Sequence, residues 1–206
     1  SSVCGPKSPD LTAYRGAPRI APLAPEHWQV DLLMETAEWP RFKDRPELRQ
    51  AGVYQTLANH PNLFRAIGGL MTHILDKNSL TDRLREIVIV RACARARGAY
   101  PYYQHLRIGR QAGLTEAELS SLSQAQTKEL AADDQVLVDM VDALFRDNDL
   151  DDRLWIRAQS ILSFEQIMDT IVISGFYGLI SAVLNVARTS LEPGSDNLPE
   201  HFIREG

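Results

Sequence analysis

Cysteine is scarce: the 206 residues hold two, Cys4 and Cys93, too far apart in the chain for a CxxC motif or a zinc-ligand spacing. No HExxH or comparable metal motif occurs either. There is no unbroken run of about 18 apolar residues, so no membrane span is predicted. The first residues lack the charged-then-apolar order of a secretory signal, and the first of them is Ser rather than Met. Basic residues form no stripe; they alternate with acidic ones around a net charge of −5. Phosphate neutralisation needs clustered Lys and Arg, so nucleic acid is excluded as the main partner. No repeat of fixed period and no convincing alternating strand stands out. The expectation is a reduced, cytoplasmic protein without a nucleic-acid or membrane partner.

What is present is helical spacing. With 44% apolar and 24% charged residues, the chain has the composition of an ordinary globular domain. Pro6, Pro9, Pro18, Pro22 and Pro25 make residues 1–25 an extended arm. A single all-α domain is expected over 26–195, with 196–206 as a tail. Helices are predicted over 26–38, ended by Pro40, over 47–58, and from Pro61 to about Asp76. A central helix follows from Thr81 to Arg97, with Gly98 as its stop, and Pro101 opens the next, to Ala112. Thr115 with Glu118 forms a capping box, residues 134–146 show an amphipathic face, and Asp151 caps a helix to Leu162. Ser163 with Gln166 caps the last helix, "FEQIMDTIVISGFYGLISAVLNVAR", apolar almost all round. Such a helix is central to a bundle or buried between subunits.

Two residues stand out as chemistry. Glu86 falls inside the apolar "LREIVIV", in helical line with Val90, Cys93 and Arg97. A carboxylate facing a core is costly unless it is paired or keeps its proton; the alternative is an edge position, paired with Arg83 or Arg91. His105, one turn into the helix opened by Pro101, is either a hydrogen-bonded core residue or an acid/base suited to neutral pH. Tyr100, Tyr102 and Tyr103 either line a pocket mouth or plug the turn between two helices. Cys93 reads as inert packing or as a reactive thiol. His60 and His73 read as cap or surface residues.

Taken together, "LTDRLREIVIVRACARARGAYPYYQHLRIGRQAGLTEAEL" resembles the carboxymuconolactone decarboxylase-like superfamily, which includes the alkyl hydroperoxidase D-like proteins. The pattern is "RLREIVIVR", then a glycine, an aromatic cluster and a histidine, then "AGLT-x-x-E". The likeness covers roughly residues 45–195, strongest over 80–119, and "YQTLANHPNLFRAI" and "GFYGLISAVLNVA…LEPG" resemble the longer members. It implies an all-α, alkyl hydroperoxidase D-like helical bundle. Peroxidase-type members carry a glutamate, a CxxC pair and a histidine as a proton relay. Glu86 and His105 match the glutamate and the histidine, while Gly98 and Pro101 stand where the cysteines would be. Carboxymuconolactone decarboxylases also lack the cysteine pair, but are shorter and are not expected to carry the glutamate.

The resemblance therefore implies a cofactor-independent acid/base enzyme acting on a small oxygenated or carboxylated molecule, of decarboxylase, lyase or isomerase type. His105 would exchange a proton with substrate and Glu86 would orient or share it. Tyr100 and Tyr103 would hydrogen-bond a developing enolate oxygen. Phe176, Tyr177 and Asn185 would shape the pocket with Cys93, and Arg107 or Arg91 would meet a substrate carboxylate. No metal and no cofactor is expected. Two alternatives stand beside this: a non-catalytic helical assembly or binding protein, and a thiol-dependent peroxidase. The resemblance also implies a homo-oligomer, a trimer or hexamer, or a dimer.

Overall fold

Proline sets the rhythm of the N-terminal helices, though not always as the sequence suggests. The computed structural model describes residues 13–14, 16–192 and 203–204. Most of the expected arm and tail lies outside these residues. Contacts group the chain into two compact units, one of Ser79–Ala182, the other of Ala13–Asn78 with the chain from Val183 on.

In the second of these, β1 (Ala13–Tyr14) is followed by α1 (Val30–Ala37), α2 (Pro40–Asp44), α3 (Gly52–Leu57) and α4 (Pro61–Thr72). The first predicted helix is shorter than 26–38, because Trp28 is extended between a 3₁₀ turn at Pro25–His27 and α1. Pro40 opens α2 rather than only ending α1; it sits at the first helical position, where no N–H is needed. An extended Ala51 splits the predicted 47–58 helix into a 3₁₀ turn and α3. Pro61 opens α4 as predicted, and His60 caps it by accepting the Leu63 N–H through Nδ1 at 3.2 Å. The helix then widens into a π turn over His73–Lys77. Trp28, Trp39, Phe42, Tyr54 and Phe64 pack edge-on or stacked as the core of this unit. Strand content among the described residues is one parallel pairing, β1 with β2 (Ile203–Arg204).

The unit Ser79–Ala182 holds α5 (Asp82–Arg95), α6 (Ala99–Gln111), α7 (Glu116–Leu122), α8 (Ala132–Asp147), α9 (Asp152–Ile161) and most of α10 (Phe164–Ala187). The caps at Thr115, Asp151 and Ser163 fall where the sequence puts them, and Thr81 adds one at the predicted start of the central helix. Thr81 accepts from Leu84 N–H, Thr115 and Glu118 form the capping box, and Asp151 accepts from Leu154 N–H. Ser163 and Gln166 bond reciprocally before α10. Central α5 is buried from Glu86 to Ala94 without a break. Arg91 survives there because both guanidinium nitrogens facing Asp142 bond its carboxylate, at 2.8 and 2.7 Å, while Nη1 donates to the Leu122 and Gln124 carbonyls.

By length and composition α10 could cross a membrane, its most apolar window having a mean hydropathy of 1.8 with 56% of that window buried inside the protein. Thr170 and Ser174 interrupt its apolar run, and their hydroxyls bond back to the carbonyls of Gln166 and Thr170 at 2.8 and 2.7 Å. Asp169 accepts from the Ser79 N–H and hydroxyl, tying α10 to the approach to α5.

The turn from α5 to α6 departs from the prediction. Arg97, not Gly98, takes the left-handed conformation (φ 56°), and the Gly98 N–H reaches back to the Cys93 carbonyl at 2.9 Å, closing the helix end. Gly98 itself has an ordinary φ of −85° and starts α6, which opens at Ala99 rather than Pro101. Glycine is required at 98 by space: a Cβ there would lie 2.0 Å from Ser181 Oγ and 2.6 Å from Ser181 Cβ on α10. Gly98→Ala is expected to destabilise the fold by about 1–3 kcal/mol through overpacking, read as a lower urea midpoint. An unchanged midpoint would show that α10 yields at this contact.

Candidate active site

Glu86 is fully buried on α5, and His105 on α6 is 7% exposed. Gly109, one turn beyond His105, faces both α5 and the chain that follows α6: a Cβ there would crowd Leu119 and Leu114 at 3.0 and 3.2 Å and would meet the Glu86 Cβ in ordinary contact at 3.8 Å. The edge position for Glu86 is not what is seen. Arg83 bonds Glu118 and Asp134 instead, and Arg91 bonds Asp142. Glu86 Oε2 lies 2.7 Å from His105 Nδ1, and its Oε1 accepts from Arg85 Nε at 3.1 Å.

His105 Nε2 lies 2.8 Å from the hydroxyl of Tyr177 on α10, and the two rings meet edge-on at 5.1 Å. Glu86, His105 and Tyr177 thus form one buried hydrogen-bonded chain across three helices. An ionised Glu86 can only accept, so Nδ1 carries the ring proton. In the neutral ring Nε2 then accepts from the Tyr177 O–H. The geometry is that of a carboxylate-oriented histidine holding the proton of a hydroxyl. Sequence reasoning paired Glu86 with His105 but left Tyr177 as a wall residue. The only signal for its part was a polar aromatic within an apolar helix.

The other candidates are placed as follows. Phe176 packs edge-on against the Tyr177 ring at 5.4 Å. Cys93 is fully buried on α5, and its thiol pKa is pushed well above the ordinary value by burial and then by the Glu86 charge. A thiol so placed keeps its proton, the opposite of what a peroxidatic cysteine needs; Cys4 lies outside the described residues. Tyr100 is buried in the first turn of α6. Tyr103 packs edge-on to Tyr102, and burial and then the neighbouring Tyr102 raise its phenol pKa. Arg107, two residues past His105 and so on the opposite side of α6, is exposed. It does not join the chain, and Arg91 is consumed by Asp142. Asn185 falls in the other compact unit. Among the described residues no group of three or more His, Cys, Asp or Glu is placed to hold a metal.

The model of the Carboxymuconolactone decarboxylase family matches residues 61–129, which contain both Glu86 and His105. Over those residues the chain is similar to the carboxymuconolactone decarboxylase family. The fold of the chain is similar to that of an uncharacterized peroxidase-related protein with an alkylhydroperoxidase AhpD core from Ralstonia eutropha JMP134. That likeness has a TM-score of 0.73 at 16% identity, over 88% of this chain and 95% of the other. A peroxidase-related protein from Silicibacter sp. TM1040 gives 0.69 at 14%, over 95% and 98%. The Debrominase Bmp8, solved as a Cys-to-Ala variant in complex with 2,3,4-tribromopyrrole, gives 0.63 at 16%, over 85% and 92%. No curated protein sequence matches the chain significantly.

The raised thiol of Cys93 and phenols of Tyr102 and Tyr103 carry a pH consequence. In the unfolded chain these groups lose protons near their ordinary values, about 8.5 for the thiol and 10 for the phenols. The folded protein retains them, so their contribution is complete below about pH 8.5 and stability falls as pH rises above it. Urea midpoints are expected to drop between about pH 8 and 10, and less steeply in Cys93→Ala; equal slopes would remove the thiol from the account.

Proposed function

We propose that this protein is a cofactor-independent acid/base enzyme of decarboxylase, lyase or isomerase type, acting on a small oxygenated or carboxylated organic molecule. The observation that carries this is the 2.7 Å bond from the buried Glu86 carboxylate to His105, continued by the 2.8 Å bond to Tyr177. A pair of this kind supplies about 10²–10⁴-fold acceleration to a proton transfer. The family match and the absence of a CxxC pair favour proton chemistry over thiol-dependent peroxide reduction. The Debrominase Bmp8 binds a small brominated ring on the same fold, which favours a small-molecule substrate. A cytoplasmic setting belongs to the same proposal.

The burial of the whole chain, with Tyr177 at 4% and His105 at 7% exposure, favours a second reading as a structural pair in a non-catalytic assembly protein. Solvent proton exchange and turnover of carboxymuconolactone and acetoacetate, followed by NMR in D₂O, separates the two. His105→Gln should lower the rate about 10²-fold or more with a near-unchanged melting temperature. A folded protein inactive as wild type, or a variant that loses stability and not activity, would favour the structural role.

We also propose a homo-oligomer, a trimer, hexamer or dimer, built through α10. Phe164, Met168, Ile171, Val172 and Leu179 are exposed along one side of that helix at three-, four- and seven-residue spacings. In water such a seam is stabilised by a partner. Light scattering should give a multiple of the chain mass, and Leu179→Glu should shift it toward the monomer; a monomeric wild type would overturn this.

A further inference from the structure

Both ring nitrogens of His105 are already bonded within the protein, Nδ1 to Glu86 and Nε2 to Tyr177, and both bonds are buried. A group that exchanges a proton with substrate must come within hydrogen-bond reach of it. His105 has no nitrogen left for that contact, whereas a phenol both donates and accepts. A second observation lies one turn along α10. Ser181 is fully buried and its Oγ has no hydrogen-bond partner. The buried hydroxyls earlier on this helix, Thr170 and Ser174, do bond back to carbonyls. A buried hydroxyl left unpaired is costly, and residues four apart on a helix are neighbours. Ser181 is also the residue pressed against Gly98 at the start of α6, a helix without a side-chain cap. The positive end of a helix dipole there favours negative charge.

We propose that Tyr177 is the catalytic residue that exchanges the proton with substrate, and that Ser181 donates a hydrogen bond to the substrate oxygen on which negative charge develops. His105 and Glu86 are then positioning residues acting through Tyr177. The substrate class is an enolisable carbonyl compound, with the reacting C–H next to the carbonyl. This rests on the proton-transfer reading above. In the base direction the Tyr177 oxygen takes the substrate proton as its own proton moves to His105 Nε2. The C–H electron pair becomes the enolate, and the imidazolium is balanced by Glu86. In the acid direction the imidazolium returns its proton to Tyr177 as Tyr177 protonates the enolate at carbon, so protons and charge balance over the cycle.

The test uses the full chain, as wild type, His105→Gln, Tyr177→Phe and Ser181→Ala, with deuterium incorporation into acetoacetate and carboxymuconolactone as readout. Tyr177→Phe should match His105→Gln, both about 10²-fold or more below wild type. Ser181→Ala should lower kcat by about 10²-fold with KM little changed. If His105→Gln is inactive but Tyr177→Phe stays within about twofold of wild type, the inference is overturned while the proton-transfer reading stands. If Ser181→Ala stays within the same margin, the oxygen-holding role falls. If wild type exchanges neither probe, or His105→Gln exchanges as wild type does, that reading falls and the inference with it. Independently of substrate, ¹⁵N-histidine spectra should show the proton of neutral His105 on Nδ1; a proton on Nε2 would overturn the relay. Should Tyr177→Phe not fold, 3-fluorotyrosine in place of tyrosine lowers the phenol pKa. The pH–rate profile must then move to lower pH, and an unmoved profile overturns the proposal.

Discussion

The hydrogen bond between Glu86 and His105 is the constraint around which α5, α6 and α10 are arranged. A carboxylate with no exposed surface must be paired, since its desolvation would otherwise cost several kcal/mol. Its partners, Arg85 and His105, fix it from two sides. That requirement sets how closely α6 must approach α5. The histidine so held has one nitrogen left, and α10 supplies Tyr177 to it. Three helices are thereby locked in register by two hydrogen bonds.

The surrounding polar groups follow the same economy. Arg91, nearly as buried as Glu86, is satisfied by Asp142 and two carbonyls. Asp169 is satisfied by Ser79. These are closed networks, with donors and acceptors matched inside the protein. Ser181 stands apart from them because its hydroxyl has no such match.

How much was legible in the sequence depends on how local the signal is. Caps at Thr115, Asp151 and Ser163 are read correctly because they are made by residues three apart. Pro40 misleads, because a proline is as suited to begin a helix as to follow one. Gly98 misleads as a helix stop because its reason is Ser181, a residue 83 positions later that no local rule reaches. Glu86 and His105 are found through their pattern and resemblance. Tyr177 lies 72 residues beyond His105, so only the packing of α10 brings it to the ring. Arg107 was attractive by charge, yet its two-residue offset from His105 already turns it outward.

The contact between Gly98 and Ser181 also bears on how this chain can change. The space that a side chain at 98 would fill is taken by the serine, whose Oγ would stand 2.0 Å from the new Cβ. A cysteine introduced there alone meets that obstacle before it can do any chemistry. Building a thiol pair at Gly98 and Pro101 would therefore need a coordinated change on α10 as well. Interior packing thus bars a thiol at this turn through a hydroxyl on another helix.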